Sequence, residues 1–449
     1  MGVAGLMSDE RKQGEAAYRP SRRNLLAAGG ATLSGAALAA TAAAAQAQDG
    51  ALGPAVPADT GAVQGGRVVF PNWRGQGDAP PPPPPAPLPP EKRVGFAVVG
   101  LGRLSLEEIL PAFGEAKMAR PVALVSGSPD KAKLVAAQYG IAAEAIYGYG
   151  DWDRLKANPA VQAVYVVTPN ALHREHVVAA AGAGKHVLCE KPMATSPDEA
   201  RAMIEACAQA KVKLMIAYRC QYEPNNREVT KIARSGSLGR LRLIQAFNGQ
   251  TSGLPEQWRL RKALAGGGAL PDIGLYCLNG VRALTGEEPV SVTAQVHSTP
   301  DSPLFREVEE SVVFTLTFPS GVIAQCGTSY GVHESRRLDV HTEGGALTLE
   351  NAFAYRGQRL MIAHREGTRV QKDEPVIPPK NQFALELDHM AECILKDRRP
   401  RTPGEEGLQD QILMAAIYEA ARSRAPVTVG PLPGTGMGAD ATRGPALDG

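Results

Sequence analysis

The sequence predicts an α/β fold in two parts: a doubly wound parallel sheet, then an α+β domain on a large, mostly antiparallel sheet. Three observations carry that expectation. Between residues 93 and 217, short apolar runs alternate with stretches of helical periodicity, the pattern of strands covered by helices on both faces. Directly after the first apolar run stands Gly100-Leu101-Gly102, a turn that carries a strand straight into a helix. After about residue 240 the apolar runs read as strands throughout, and the joins Ser320-Gly321 and Gly344-Gly345 have turn chemistry.

Two segments precede the folded part. In residues 1–47, Arg22-Arg23 stand before an apolar run from Leu25 to Ala45 that is mostly Ala, Gly and Thr and ends in Ala45-Gln46-Ala47. Such residues gain little on entering lipid, and the small-x-small ending is a cleavage pattern. A removed export signal is expected here rather than an anchor. Ser21-Arg22-Arg23-Asn24-Leu25-Leu26 has the twin-arginine form; the alternative is a general secretory signal with two chance arginines. The twin-arginine form implies passage of an already folded protein through that export machinery to the periplasm. Residues 48–92 show no helical or strand periodicity and contain the run Pro80 to Pro85, read as a polyproline II arm. It would serve as an inert tether or as a grip on a neighbouring subunit.

The parallel domain, residues 93–217, begins with a strand at Val94 to Val99 and a helix running through Lys117. A strand at Pro121 to Ser126 and a helix at Pro129 to Tyr139 follow. Strands at Ala163 to Val167 and Lys185 to Cys189 flank a helix at His173 to Ala183. A helix at Pro197 to Ala210 and a strand at Leu214 to Ala217 complete it. The second domain, residues 218–427, has strands at Leu241 to Phe247, Val290 to His297, Ser311 to Phe318, Val322 to Ser329, Leu338 to Thr342 and Leu360 to His364. Helices at Phe383 to Leu395 and Glu406 to Ser423 close it, and residues 428–449 are expected to be a flexible tail.

Charge excludes one class of partner. Lys and Arg number 48 against 46 Asp and Glu, so no bulk field favours nucleic acid. The 6 cysteines are scattered without CxxC or Cys/His spacing, which argues against a zinc site, any other metal and a dense disulfide framework.

Four stretches carry chemistry. In Val99-Gly100-Leu101-Gly102-Arg103-Leu104-Ser105, Gly100 permits the tight turn and Gly102 lets backbone approach a pyrophosphate at a helix N-terminus, the Rossmann dinucleotide site. Its third position is Ser105, a departure from Gly or Ala that predicts looser helix–strand packing. At the second strand's end, Ser126-Gly127-Ser128-Pro129-Asp130-Lys131 has Ser126 where an NAD site has an acid, with Lys131 a turn later. A hydroxyl and an ammonium suit a 2′-phosphate, hence NADP; the alternative is that Lys131 and Lys133 are a solvated helix face. Third, Cys189-Glu190-Lys191-Pro192-Met193 sits at a strand's carboxyl end, where open α/β sheets bind ligands. Lys191 there is either a substrate-holding ammonium or a solvent-facing lysine before a proline turn. Fourth, Gly266-Gly267-Gly268 leads to Asp272 and Tyr276, four apart and so on one helical face. The glycines predict close approach to a cofactor or another chain. Tyr276 beside Lys191 would make an acid/base pair for alcohol–carbonyl interconversion; otherwise Tyr276 is a buried aromatic and Asp272 a helix cap.

The run Cys189 to Met193 with Asp272 and Tyr276 resembles the Gfo/Idh/MocA oxidoreductase family. Within it the likeness is to the glucose–fructose oxidoreductase branch, through Tyr165 to His173, Met215 to Cys220, Gln257 to Arg261, the GGGAL run, Gly280-Val281-Arg282, Asn381-Gln382-Phe383 and Pro403 to Gly407. The resemblance implies Lys191, Tyr276 and Asp272 as catalytic, with Tyr276 taking a sugar hydroxyl proton. It implies that Gly100, Gly102, Arg103, Leu104, Ser126, Gly127, Lys131, Tyr149, Pro169, Asn170, His173, Glu190, Lys191, Arg219, Trp258 and Arg259 line the cofactor and sugar site. It further implies tightly held NADP, reduced by an aldose and reoxidised by a second sugar in ping-pong order. Lactone and polyol would be the products. An open-faced sheet that assembles a homo-tetramer or dimer is the remaining implication. The stretch Asn248 to Glu256 is shorter than that branch implies and stands near the substrate mouth. Rival readings are a sugar or diol dehydrogenase with exchangeable NADP, and an exported sugar-binding protein without chemistry.

Overall fold

The computed structural model describes residues 87–252 and 255–430, and the backbone of two short strands, Ala62–Gln64 (β1) and Arg67–Val69 (β2). The expected signal, the proline run Pro80 to Pro85 and residues 431–449 lie outside the described residues. The chain divides into two units, residues 1–84 and 85–449. In the first, β1 and β2 pair antiparallel with Gln64 opposite Arg67. This corrects the reading of residues 48–92 as free of strands. Gly65-Gly66 between two short runs is a hairpin signal, but strands of three residues are too short to display alternation.

In the second unit six parallel strands, Val94–Val99 (β3), Ala119–Val125 (β4), Ile146–Tyr147 (β5), Ala163–Val166 (β6), His186–Glu190 (β7) and Leu214–Ala217 (β8), lie in the order β5-β4-β3-β6-β7-β8. All of β3 and β6 is buried, which is why they read as continuous apolar runs. Helices Pro129–Tyr139 (α1), His173–Gly182 (α2) and Pro197–Gln209 (α3) lie where the periodicity put them. At α3 the Ser196 hydroxyl accepts from the Glu199 amide and a proline follows at once, a local start signal independent of packing. The helix expected through Lys117 is shorter. A π-type turn at Ser105–Ile109 passes into Leu110–Ala112 and stops before Gly114, whose backbone freedom opposes helix. Strand order reverses beside β3, opening a crevice at the carboxyl ends of β3 and β6.

The second sheet has nine strands: Leu241–Thr251 (β9), Ser291–His297 (β10), Ser311–Thr317 (β11), Ile323–Ser329 (β12), Gly331–Thr342 (β13), Gly345–Glu350 (β14), Arg359–Glu366 (β15), Arg369–Asp373 (β16) and Val427–Thr428 (β17). Their order is β16-β15-β14-β13-β9-β12-β11-β10-β17, antiparallel except for β9 with β12. Thr428 pairs with Ser291, so the sheet runs one residue into the segment read as tail. Helix Pro224–Ser235 (α4) and strands β5, β14, β16 and β17 were not assigned from the sequence. One face of the sheet packs against α4 and Leu275–Thr285 (α5); the other leaves Val313 and Ile323 exposed, the open face.

The closing helices Gln382–Leu395 (α6) and Gly404–Ser423 (α7) return to the parallel sheet. Thr402 both accepts from the Ile216 amide at 2.7 Å and donates to its carbonyl at 2.6 Å. Asp388 accepts from the Lys117 and Met118 amides. The site is therefore held from both sheets.

Candidate active site

A cleft of about 1010 Å³ opens at the carboxyl ends of the parallel strands, and every residue expected to be catalytic or to line the cofactor and sugar site lines it. Gly100 has φ +95°, and a side chain there would meet the Val167 carbonyl at 2.8 Å, so the turn requires glycine. At Gly102 a Cβ would meet nothing within 4 Å, leaving a cradle for a pyrophosphate. Ser105 does not loosen the packing. It is fully buried, and its hydroxyl donates to the Gly100 carbonyl at 2.5 Å, which ties the helix to its own turn.

At the end of β4, Ser126 accepts from the Ser128 amide at 3.1 Å, and the Tyr149 ring packs over Gly127. Ser128 opens α1 without a side-chain cap bond and lines the cleft with Lys131. Two hydroxyls, an ammonium and a helix N-terminus stand where a ribose-binding acid is absent. That donor set fits a phosphate.

At the carboxyl end of β7 the ammonium of Lys191 donates to the Asp272 carbonyl at 2.6 Å and pairs with Asp272 Oδ1 at 3.5 Å. It also lies 4.4 Å from the centroid of the Tyr276 ring. The shared face predicted for Asp272 and Tyr276 therefore meets Lys191. The partner of the phenol oxygen, however, is Arg219, whose Nε donates to it at 3.0 Å. Both cations lie over the ring, with Arg219 Cζ 4.5 Å from its centroid, but it is the arginine, in the turn Arg219–Gln221 after β8, that bonds the oxygen. Burial pushes the Tyr276 phenol above its ordinary range, and Arg219 opposes the rise. Burial would also raise Asp272, but Arg259, Lys191 and the Tyr330 bond outweigh it and hold the carboxyl at about 2. Arg259 reaches Asp272 Oδ2 at 3.2 Å and stacks 4.5 Å over Trp258.

Other expected residues serve as braces. His173 has Nε2 at 2.8 Å from the Thr168 carbonyl and Nδ1 at 3.0 Å from that of Pro192. Burial lowers its pKa to about 4, so the neutral ring, which also lines the cleft, donates to one of these two carbonyls. Asn170 donates to the Ala265 carbonyl at 2.9 Å. Glu190 accepts from the Tyr165 hydroxyl at 2.7 Å. Arg103 stands exposed beside Glu107, with Leu104 and Pro169 in the cleft wall. The close approach predicted for Gly266 to Gly268 is made within this chain: a Cβ at Gly267 would meet the Tyr418 hydroxyl at 2.1 Å, and at Gly268 the Glu309 carbonyl at 2.0 Å.

Residues 94–218 match the model of an oxidoreductase family with an NAD-binding Rossmann fold, and residues 226–348 match the GFO/IDH/MocA C-terminal domain. This chain is a Gfo/Idh/MocA oxidoreductase. It is 45% identical to the crystal structure of an aldose–aldose oxidoreductase from Caulobacter crescentus complexed with glycerol, with a TM-score of 0.72, covering 75% of this chain and 100% of that one. A D-xylose 1-dehydrogenase (NADP+) of Haloarcula marismortui is 35% identical over 74% of this chain and 92% of its own. An inositol 2-dehydrogenase of Rhizobium meliloti is 28% identical over 74% and 98%.

Several residues of this oxidoreductase's site were not given roles from the sequence. Tyr330 donates to Asp272 Oδ2 at 2.7 Å. Tyr355 lines the cleft and stacks on Arg219 at 4.6 Å. Gln382 anchors Arg219 at 2.6 Å. Asn381 carried a usable signal: its side chain caps α6 by accepting from Phe383 and Ala384, which fixes the helix start and hence Gln382. Tyr330 and Tyr355 carried none, since an aromatic after a strand is ordinary core.

Proposed function

We propose that this chain is an NADP-containing sugar oxidoreductase that oxidises an aldose to its lactone and reduces a second sugar to a polyol. The observation that carries the reading is the Tyr276 hydroxyl on the cleft wall, held by Arg219 and backed by Lys191 and Asp272, in the same cleft as the Gly102 cradle. Tyr276 takes the proton of the sugar C1 hydroxyl as the carbonyl forms, and later returns it to the oxygen of the second sugar. Lys191 orients the substrate hydroxyl, and Asp272, held ionised, fixes Lys191. When bound, the dinucleotide supplies the hydride acceptor and donor. Gly100, Gly102, Ser126, Ser128 and Lys131 would hold it, and their hydroxyl and ammonium donors favour NADP.

The aldose–aldose oxidoreductase and D-xylose dehydrogenase likenesses support sugar as the substrate class. The twin-arginine pattern supports export after folding, so that NADP is loaded inside and kept. Open-sheet association into a tetramer or dimer belongs to the same proposal. Purified protein tests it: retained nicotinamide absorbance, with turnover of an aldose–ketose or aldose–aldose pair and no added cofactor, is the expected result. Empty protein that turns over only with added NADP would replace it with the second reading, a dehydrogenase of exchangeable cofactor, which the xylose dehydrogenase likeness favours. Binding of sugar with no turnover under either condition would leave an exported sugar-binding protein.

A further inference from the structure

We propose that Arg219 is the positioning residue that sets both the direction and the ionisation of the Tyr276 hydroxyl, a role that sequence spacing assigns to Lys191. The inference rests on the reading of Tyr276 as acid/base. An arginine can only donate, so the phenol oxygen accepts from Nε at 3.0 Å, and its own proton is left for an acceptor in the cleft. Lys191 makes no hydrogen bond to that oxygen. Its ammonium faces the ring centroid at 4.4 Å and is committed to Asp272.

The rest of the guanidinium's surroundings point the same way. Arg219 is 3% exposed. Its Nη1 donates to Gln382 Oε1 at 2.6 Å and to the Ala354 carbonyl at 3.2 Å, and Nη2 donates to the Phe353 carbonyl at 2.6 Å. Its Cζ lies 4.5 Å from the Tyr276 ring centroid and 4.6 Å from that of Tyr355. Among the described residues no carboxylate pairs with it within 4.0 Å. At hydrogen-bond distance the buried charge is thus met by neutral acceptors, with the carboxyls of Glu190 and Glu386 farther off and pushed up by burial, an arrangement that favours a new anion beside it. Of the groups its N–H donors reach, Tyr276 and Cys220 can ionise; Cys220 lies 3.7 Å from Nη1, and of these two Tyr276 lines the cleft. The charge therefore stabilises the phenolate that oxidation requires. Groups facing the phenol from the packed elements are Arg219 and Cys220 after β8, Glu190 and Lys191 at the end of β7, Asp272 before α5, and Tyr355 after β14, with Glu386 of α6 behind Glu190.

The test follows each half-reaction separately by nicotinamide absorbance on protein purified with its cofactor, across pH. Arg219→Met is expected to slow sugar oxidation at neutral pH by about a hundredfold or more and to move its rising limb up by at least about one pH unit. Reduction of the second sugar, where the neutral phenol is the donor, is expected to fall by less than about tenfold. Arg219→Lys should keep the limb near its original pH. In a Tyr276→Phe background, Arg219→Met should add less than about threefold, since removing a group that acts through another has little left to remove. Should Arg219→Met fail to fold, Gln382→Glu sets a carboxylate on Nη1 and should displace the same limb upward. Equal slowing of both half-reactions with an unmoved limb would overturn the role of Arg219 alone. Full turnover in Tyr276→Phe would overturn the acid/base reading beneath it.

Discussion

Arg282→Met is the perturbation with the largest expected effect on stability. Arg282 lies on α5, six residues beyond Tyr276, with its side chain 0% exposed. Nη2 meets Glu288 at 2.6 Å, Nη1 meets Asp410 at 2.6 Å, and Glu406 sits at 3.2 Å. Asn279 donates to both Glu406 and Asp410. One guanidinium thus serves three buried carboxyls, and burial raises Glu406 to about 7 despite Arg282. Methionine fills similar volume but leaves those carboxyls without a cation, which costs about 3–5 kcal/mol, a large share of the ~5–15 kcal/mol typical of a folded domain. The sign with pH follows from the raised carboxyl. The folded state binds the proton more tightly than the unfolded chain, so stability falls as pH rises from the ordinary range near 4.5 through about 7. Without Arg282 that slope steepens, and the loss should be larger at about pH 8 than at about pH 5. Urea unfolding of wild type and Arg282→Met at both values, with the cofactor state matched, reads it directly. A loss below about 1 kcal/mol at the higher pH, or an equal loss at both, would refute the account of an overloaded buried cation.

Three further outcomes are expected. Asp272→Asn removes a carboxyl held at about 2; its depressed pKa contributes about 2 kcal/mol above the ordinary range near 4 that fades as pH falls toward 2, so acid titration of stability should flatten in the variant while kcat also drops. Ser126→Asp places an acid where a 2′-phosphate would sit, and the ratio of NADP to NAD affinity, measured on cofactor-stripped protein, should fall by at least about tenfold. Replacing Arg22 and Arg23 with Lys should strand active, NADP-loaded protein in the cytoplasm; undiminished export would contradict a twin-arginine route.

The parallel domain was legible because its signals are local. A strand buried on both faces must be apolar throughout, so β3, β6 and β8 stood out, and Pro129, Pro197 and their preceding serines marked helix starts. In the second sheet β16 escaped notice because its partner strand, not internal alternation, holds it: Arg369 to Asp373 is wholly exposed and survives by pairing with β15, whereas β14 does alternate, with Leu347 and Leu349 buried, and its signal was passed over. Lys191, Asp272 and Tyr276 could be named because strand end and helical spacing place them. Which cation meets the phenol oxygen could not. Contact between Arg219 and Tyr276 spans 57 residues and depends on the angle at which α5 enters, set by Gly274 against Thr328 and by the Arg282 cluster. Long-range packing of that kind leaves no periodic trace.

The direction of the Tyr276 shift bears on why such a site suits two sugars in turn. A base used once per turnover with free cofactor must release its proton to water before the next cycle, and a phenol raised by burial releases it slowly. In the proposed closed cycle nothing need be released: the proton lifted from the first sugar is the one the second sugar requires, and the hydride is conserved alongside it. A high pKa then keeps the proton on Tyr276 between the two half-reactions, while Arg219 stabilises the phenolate reached after the second. The same buried phenol that would slow an ordinary dehydrogenase suits the proposed cycle, in which the cofactor would be retained. Measured at steady state, turnover of a sugar pair should therefore depend on pH less steeply than oxidation of one sugar with added NADP by the same protein. An equal dependence would remove the link between the raised phenol and a retained cofactor.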